Sequence, residues 1–352
     1  MPALSERRHG RRTPQPQETA SRVVARATTN HPVRDRLLTI LCFAAIHIVW
    51  GTTYLAIHYA VQTIPPLLTA GLRHLLGGAA LFAVCWSRGL RPTAVQWRAS
   101  AVTGILFFLI GHGSLHWAEL YVASGAAALF VATEPVWVAL LSALTRRDAR
   151  LSPAAMAGLG IGVAAVGILV GLPRSHDRLE FAGSVVIVLG AISWSIGIFY
   201  ASSAPLHSST LMSASMSLLC GGAMLVAAAA ASGSLARFDV ARVTAASAAG
   251  LAYLVVFGSL TFAGYTRLLE RCSPVLVATH TYTNPLIAVL LGAAIAGESL
   301  TPRMAVAGAA ILLAIALVRK EERHVVPQRL RFHHRPLERE APEAEAAPRR
   351  LR

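Results

Sequence analysis

The sequence predicts an all-α polytopic membrane protein with ten transmembrane helices, arranged as two inverted five-helix repeats. Three observations support this. The 352 residues are 55% hydrophobic and only 14% charged, whereas soluble domains average roughly 25% charged. Ten apolar stretches have the length of a bilayer-spanning helix, which needs about 20 mostly apolar residues. Finally, the triplet Thr133-Glu134-Pro135 recurs as Thr283-Asn284-Pro285 inside two of these stretches.

Short charged or turn-forming segments separate the apolar stretches and leave no room for a soluble domain between them. The predicted spans are 37–60, 66–86, 99–121, 124–144, 153–172, 181–202, 209–232, 244–268, 274–296 and 302–319. The predicted organisation is a basic, disordered tail (1–36), a first repeat (37–172), a linker (173–180), a second repeat (181–319) and a disordered tail (320–352).

Further matches between the halves indicate an internal duplication. The matches at the triplet's offset of 150 are Leu140-Leu141 with Leu290-Leu291 and Gly158 with Gly308, and those at an offset of 144 are Trp50 with Trp194, Leu75 with Leu219 and Gly77-Gly78-Ala79 with Gly221-Gly222-Ala223. Because each predicted half has an odd number of spans, the second copy enters the membrane in the opposite direction. Inverted repeats of this kind are common in secondary transporters, where broken helices often form the transport site.

The distribution of arginine predicts the orientation. Cytoplasmic loops are enriched in Lys and Arg, and the arginines of two early loops are Arg88, Arg91 and Arg98, then Arg146, Arg147 and Arg150. Placing these loops inside puts both termini in the cytoplasm. We expect the protein to span the cytoplasmic membrane several times.

The net charge of +15 does not indicate nucleic-acid binding. Eight of the 32 Lys and Arg residues lie in 1–36 and ten in 319–352. Basic tails next to a membrane are suited to anionic lipid headgroups. The expected partners are therefore the lipid bilayer and a small-molecule substrate, with no nucleic acid.

The third span carries the densest set of ionisable residues, His112, His116 and Glu119. At about 100° per residue these side chains share one helix face, and ionisable residues at membrane depth indicate function by default. We interpret them as a titratable lining of a central cavity, with Glu119 as the coupling site or a cation binder. Glu119 could instead lie near the outer surface and simply pair or hydrate. A metal site is geometrically feasible but lacks a second shell, so we expect no metal and no cofactor.

The two prolines in the repeated triplets predict helix breaks near the middle of the membrane. Proline removes one backbone hydrogen bond, so Pro135 and Pro285 would free the carbonyls of Val131 and Thr281. Glu134 and Asn284 precede the prolines and would contact substrate there, or else stabilise helix packing through hydrogen bonds. His280 and Tyr282 lie on the same stretch as further lining candidates.

Three tryptophans, Trp50, Trp137 and Trp194, are candidate cavity walls that could offer cation–π surfaces. The alternative is a role in helix packing or in interface belts. For Arg73, snorkelling or a structural ion pair is favoured over substrate binding. Glycines spaced along the fifth span would permit close packing against the tenth span or against a second subunit in a homodimer.

A set of motifs, taken in order, resembles the EamA-type exporters of the drug/metabolite transporter superfamily. They are Trp50-Gly51, Arg73, Trp117-Ala118-Glu119-Leu120-Tyr121, Ser124-Gly125-Ala126-Ala127, Pro135, Asn284-Pro285 and Gly297-Glu298. The similarity covers about residues 37–319. It departs after the fourth span, where Arg146-Arg147-Asp148 replaces the family's Gly-Glu. The resemblance implies a central cavity, alternating access and export of small metabolites or amino-acid-like compounds.

The favoured function is thus a proton-coupled exporter rather than an enzyme. Two alternatives stay open: an intramembrane metal-dependent enzyme using His112, His116 and Glu119, and a non-transporting membrane sensor.

Overall fold

The computed structural model describes residues 32–145, 152–170, 178–272, 277 and 279–325. Within these ranges the regular secondary structure is helical. The first half contains α1 (Pro32–Ala44), α2 (Trp50–Ala60), α3 (Pro66–Ser87), α4 (Ala94–Thr103), α5 (Gly113–Ala118), α6 (Ser124–Val131), α7 (Glu134–Thr145) and α8 (Pro153–Val170). The second contains α9 (Arg178–Ser203), α10 (Thr210–Ala231), α11 (Ala245–Tyr253), α12 (Ser259–Arg271), α13 (His280–Ile295) and α14 (Pro302–Val325).

Three π-helical segments join consecutive helices into longer rods. They are Ala45–Val49 between α1 and α2, Gly104–His112 between α4 and α5, and Leu254–Gly258 between α11 and α12. The second and third segments begin 150 positions apart, which is the offset of the repeated triplets. Hydropathy cannot reveal such segments, because they change the helical register without changing the apolar character. They matter because π-bulges are frequent at functional sites.

Proline and capping residues fix several helix starts. Pro66, Pro153 and Pro302 are the first residues of α3, α8 and α14, a position where the missing N–H costs nothing. At the start of α4, the Thr93 side chain accepts from the Gln96 backbone and the Gln96 side chain accepts from the Thr93 backbone, which satisfies two otherwise orphaned groups.

Seven helical stretches are long and apolar enough to cross a membrane. They are Asp35–Ala60, Pro66–Ser87, Ala94–Ala118, Ser124–Leu141, Arg178–Ser203, Thr210–Ala231 and Ala245–Tyr265. Pro153–Leu169 and Pro302–Leu317 are shorter apolar helices. Along the chain, α13 lies between α12 and the second of these helices. The all-helical membrane architecture is thus confirmed, whereas the ten-helix inverted repeat stays a prediction. The predicted tails, the linker and Arg146 to Arg150 lie largely outside the described residues.

The long helices α3 and α10 pack in opposite directions through their glycines. A Cβ at Gly222 would lie 2.6 Å from the backbone nitrogen of Leu75, and one at Gly78 would lie 3.0 Å from the backbone nitrogen of Leu219. Gly78 and Gly222 occupy matching positions of the proposed repeats, and so do Leu75 and Leu219. Such a reciprocal contact is what a two-fold relation produces.

The helix α8 packs along α14. A Cβ at Gly162 would lie 2.8 Å from Val136 of α7 and 3.4 Å from Ala314 of α14. Of the two partners considered for the glycines of the fifth span, the structure shows the tenth. Contact between two copies of the chain stays a prediction.

The two proline sites differ. The backbone leaves the helix at Ala132 and Thr133, so that Pro135 is the second residue of α7. In contrast, α13 runs without interruption through Pro285, and the predicted break there is wrong. Because α13 begins at His280, Pro285 lies near its N-terminus, where a missing N–H disturbs only the first turns.

Candidate functional site

Six polar side chains from three parts of the bundle lie in its interior. Tyr54 comes from α2, Arg73 and His74 from α3, and the remaining three from the rod formed by α4 and α5 and the residue after it: His112, His116 and Glu119. We call these six residues the interior cluster. Except for His112, which is partly exposed, each of them is at least nine-tenths buried.

Two histidines of the interior cluster share a direct hydrogen bond. Nδ1 of His112 and Nε2 of His74 are 2.7 Å apart, so one ring donates and the other accepts. The His112 ring also stacks on Trp194 with a centroid separation of 5.1 Å. Nδ1 of His116 lies 2.8 Å from the His112 carbonyl oxygen and takes the proton, because a carbonyl can only accept. These contacts connect α3, α9 and the rod formed by α4 and α5.

The carboxyl group of Glu119 is enclosed without a partner. Glu119 is 3% exposed, and neither carboxylate oxygen makes a hydrogen bond within the described part of the chain. The residue follows α5 directly as its C-cap, so the third span ends at Ala118 rather than at the predicted 121. Because an isolated buried carboxylate is costly, this site is suited to a proton or a cation.

Arg73 is 7% exposed, and the predicted snorkelling of its side chain is therefore wrong. Its guanidinium lies against the π-helical segment Leu254–Gly258, since a Cβ at Gly258 would be 3.4 Å from Nε and from Nη2. The absence of a side chain at Gly258 leaves room for the guanidinium.

Glu134, Pro135 and Trp137 lie at the interruption between α6 and α7. The Thr133 hydroxyl donates to the Phe130 carbonyl at 2.6 Å and accepts from Nε1 of Trp137 at 2.9 Å. The Ser195 hydroxyl of α9 donates to the backbone carbonyl of Glu134 at 3.4 Å. The charge of Glu134 acts on Tyr54 of the interior cluster and on Tyr265, which belongs to a second, aromatic group.

That second group joins the first and last thirds of the chain. The Trp50 ring lies 5.0 Å from Tyr265 and 4.9 Å from His280, centroid to centroid. Nδ1 of His280 is 2.9 Å from the Val277 carbonyl oxygen. Tyr282 packs against the largest apolar core, which includes Leu129 and Phe130.

Asn284 stabilises the backbone of the first rod. The side-chain amide is oriented so that its nitrogen, and not its oxygen, faces the backbone carbonyls. The nitrogen donates to the carbonyls of Ile46 at 3.1 Å and His47 at 3.0 Å. Both carbonyls belong to the π-helical segment Ala45–Val49, whose altered register changes the partners of its backbone groups. These contacts correspond to the packing alternative, and substrate contact by Asn284 stays a prediction.

The structure thus brings three predicted site residues into contact, His112, His116 and Trp194, and encloses Glu119 three residues after His116. It groups Trp50 with His280 and leaves Trp137 at the α6–α7 interruption. Sequence reasoning missed His74 and Tyr54. For His74 there was a signal, since two ionisable residues, Arg73 and His74, stand side by side in an apolar stretch. Among the described residues, no group of three or more His, Cys, Asp and Glu side chains is arranged to hold a metal ion.

Glu298 joins the two halves through a helix N-terminus. Its carboxylate accepts from the backbone N–H groups of Ser124 at 2.7 Å and Gly125 at 3.1 Å. Gly297 has a φ of +68°, and the N–H of Glu298 returns to the Gly292 carbonyl at 3.0 Å. This ending of α13 needs glycine at the left-handed position, and it directs the carboxylate onto α6, where negative charge is favourable.

Glu298→Ala is expected to lower the free energy of unfolding by about 1–3 kcal/mol, because two N–H groups lose a charged acceptor. Glu298→Gln, which keeps one acceptor oxygen, should cost less. Thermal unfolding in one detergent measures both. Glu180→Ala is the control: Glu180 pairs with Arg303 at 2.9 Å, with side chains 44% and 42% exposed, and such pairs contribute about 0–1 kcal/mol. Equal losses for Glu298→Ala and Glu180→Ala would contradict the capping role.

Comparison with known proteins identifies the family. The model of the EamA-like transporter family matches this chain over residues 37–171 and 181–320. The "Uncharacterized inner membrane transporter YedA" of Escherichia coli K12 is 32% identical over 277 residues, covering 78% of this chain and 88% of the relative. "Protein PecM" of Dickeya dadantii is 30% identical over 251 residues, covering 69% and 80%.

A solved crystal structure has a TM-score of 0.54 at 22% identity, covering 80% of this chain and 96% of its own, which shows a likeness of fold alone. The family and the Escherichia coli relative are named as membrane transporters, and the apolar helices agree with a multi-pass protein of the cell membrane. This chain belongs to the EamA-like transporter family of the drug/metabolite transporter superfamily.

Proposed function

We propose that this protein is a proton-coupled secondary transporter that exports small amino-acid-like metabolites by alternating access. The observation that carries the proposal is the enclosed carboxyl group of Glu119, which has no hydrogen-bond partner among the described residues. It lies within a cluster of ionisable side chains inside the bundle. Ionisable groups in this setting mark ion and substrate pathways in membrane proteins.

Coupling follows from competition for one site. Glu119 can be neutralised by a proton or by the ammonium group of a substrate, but not by both at once. A substrate that leaves toward the outside would be replaced by an external proton, which is then released toward the cytoplasm. Glu134 would be the second carboxylate of the pathway, since its charge and that of Glu119 both act on Tyr54. Trp50, Trp194 and His280 would supply the flat apolar walls.

Alternating access is supported by the reciprocal packing of α3 and α10. Their matched glycines meet while the two helices run in opposite directions, as inverted repeats require. We extend this to the whole protein: ten spans, two inverted halves and both termini in the cytoplasm. The loops that carry Arg88, Arg91 and Arg98 would face the cytoplasm under the same orientation.

Counterflow in vesicles tests the function. Purified protein is reconstituted into liposomes that are loaded with one unlabelled solute, and entry of the same labelled solute is followed. The panel contains amino acids, nucleobases and cationic drugs, and protein-free liposomes are the control. We expect counterflow for at least one amino-acid-like compound. A panel without any counterflow above the control would overturn the transport proposal.

A further inference from the structure

Two arginines at the end of α12 share one aspartate of α1. Nη2 of Arg267 lies 2.5 Å from Oδ1 of Asp35, and Nη1 of Arg271 contacts Oδ2 of the same carboxylate. In the described structure no other carboxylate oxygen lies within 4.0 Å of either guanidinium. Nε of Arg267 is buried and has no hydrogen-bond partner there. These three charged groups therefore retain one positive charge and an unused donor.

The position of these residues relative to the apolar spans places them at the membrane surface. Asp35 is the first residue of the spanning stretch Asp35–Ala60, and both arginines follow the stretch Ala245–Tyr265 within two turns. Because the start of one stretch contacts the end of the other, α1 and α12 run in opposite directions and reach the same side of the membrane. Arginine side chains at the ends of apolar spans extend toward the lipid headgroups.

Next to this ion pair, α1 exposes an apolar face. Leu38 and Leu41 are 38% and 54% exposed, and they follow Asp35 within two turns of the helix. Cys42 instead faces α12, since a Cβ at Gly264 would lie 3.3 Å from its sulfur. An acyl chain that lies along the two leucines would place its headgroup at the level of the two arginines.

A phosphodiester supplies what the three charged groups lack. Its single negative charge equals the charge that Asp35 leaves unneutralised, and its two free oxygens match the fork of a guanidinium. A zwitterionic headgroup carries a cation of its own, which the arginines would repel. A free phosphate compound could form the same bonds, but it would gain nothing from the exposed leucines.

We propose that Arg267 and Arg271 bind the phosphate group of an anionic phospholipid, such as phosphatidylglycerol, whose acyl chains lie against Leu38 and Leu41. Asp35 holds the arginines when no lipid is bound and competes with the headgroup for them. Bound lipid would therefore weaken the ion pairs between α1 and α12. This site is separate from the interior cluster, and its existence does not depend on transport.

Native mass spectrometry of the full-length protein in detergent tests the site. Phosphatidylglycerol and phosphatidylcholine with identical acyl chains are titrated separately, and glycerol 1-phosphate is added as a competitor. For the wild-type protein we expect tighter binding of phosphatidylglycerol than of phosphatidylcholine. Glycerol 1-phosphate at the concentration of the lipid should not displace it, because the compound has no acyl chains.

The double variant Arg267→Gln/Arg271→Gln should bind phosphatidylglycerol about 25-fold more weakly, or about fivefold for each arginine, and phosphatidylcholine as before. An arginine near an anionic membrane surface contributes about 1 kcal/mol, which is about fivefold in affinity. Because the basic tails also attract anionic lipid, the readout is the difference between variants. Arg303→Gln, at a pair with one arginine and one glutamate, is the charge-matched control and should bind like wild type.

Asp35→Asn separates a lipid site from a purely structural ion pair. The substitution removes the competing carboxylate and should raise the affinity for phosphatidylglycerol about fivefold, by the same conversion. If the double variant does not fold, Arg271→Gln alone, at a side chain 42% exposed, should show the fivefold loss.

Four results would overturn the proposal. They are equal affinity of the wild type for both lipids, unchanged phosphatidylglycerol binding after loss of the arginines, and an equal loss in Arg303→Gln. The fourth is weaker phosphatidylglycerol binding by Asp35→Asn, which would assign the three residues to a structural ion pair. Displacement of the lipid by an equal concentration of glycerol 1-phosphate would replace the lipid with a free phosphate compound as the ligand.

Discussion

Glu119→Gln is expected to abolish both proton-driven export and exchange of substrate, because the proton and the substrate's ammonium group compete for the Glu119 carboxylate. Gln has the shape of Glu but neither binds nor releases a proton near neutral pH. Since neither Glu119 oxygen has a hydrogen-bond partner in the described structure, the substitution removes no such bond and should leave the fold intact. Substrate accumulation driven by a pH gradient and counterflow should both fall to the level of protein-free liposomes, because the neutral amide corresponds to the protonated site, which does not hold the substrate's ammonium group.

The comparison is made with two further variants. Glu134→Gln should also impair coupled transport, because Glu134 is the other carboxylate whose charge acts on Tyr54. Glu180→Gln, at a side chain 44% exposed, should behave like wild type. Undiminished gradient-driven transport in both Glu119→Gln and Glu134→Gln would remove the carboxylates from the coupling mechanism.

Gly222→Ala should produce the largest loss of stability. The added methyl group would lie 2.6 Å from the backbone nitrogen and 3.0 Å from the Cα of Leu75, and 3.1 Å from the Gly71 carbonyl oxygen. These are backbone atoms, so relief requires separation of α3 from α10 rather than rotation of a side chain. Overpacking typically costs about 1–3 kcal/mol and occasionally more, and we expect a value at or above the top of that range.

The matched control is Gly160→Ala, because no atom lies within 4 Å of a Cβ at that helical position. There alanine should be neutral or stabilising by up to about 1 kcal/mol, since glycine is the poorer helix residue. Unfolding curves in one detergent compare the two variants. Similar shifts at both positions would show that the α3–α10 contact does not limit stability.

The sequence predicted the helical stretches well because apolar length and charged breaks are local signals. Within the described residues, the predicted spans 66–86 and 209–232 differ little from the observed Pro66–Ser87 and Thr210–Ala231. The third span was placed less accurately. Its polar first turn, which begins at Ala94 with a capping box, resembles a loop when judged by hydropathy alone.

The candidate site was harder to predict because it depends on contacts between distant parts of the chain. The spacing of His112, His116 and Glu119 indicated one face, but nothing local to them pointed to His74 of α3. Likewise, Asn284 was recognised as a polar residue next to a proline, whereas its bonds to Ile46 and His47 depend on a π-helical segment that has no hydropathy signature. The predicted break at Pro285 failed because the start of α13 could not be located from sequence.

Movement of protons with substrate tests the central claim most directly. Liposomes containing the wild-type protein are loaded with a substrate identified by counterflow and with a pH-sensitive dye, then diluted into substrate-free buffer of the same pH. Exchange of substrate for protons predicts that the lumen acidifies as substrate leaves, and that Glu119→Gln abolishes the acidification. Efflux of the same substrate from wild-type vesicles without any change in luminal pH would contradict proton coupling.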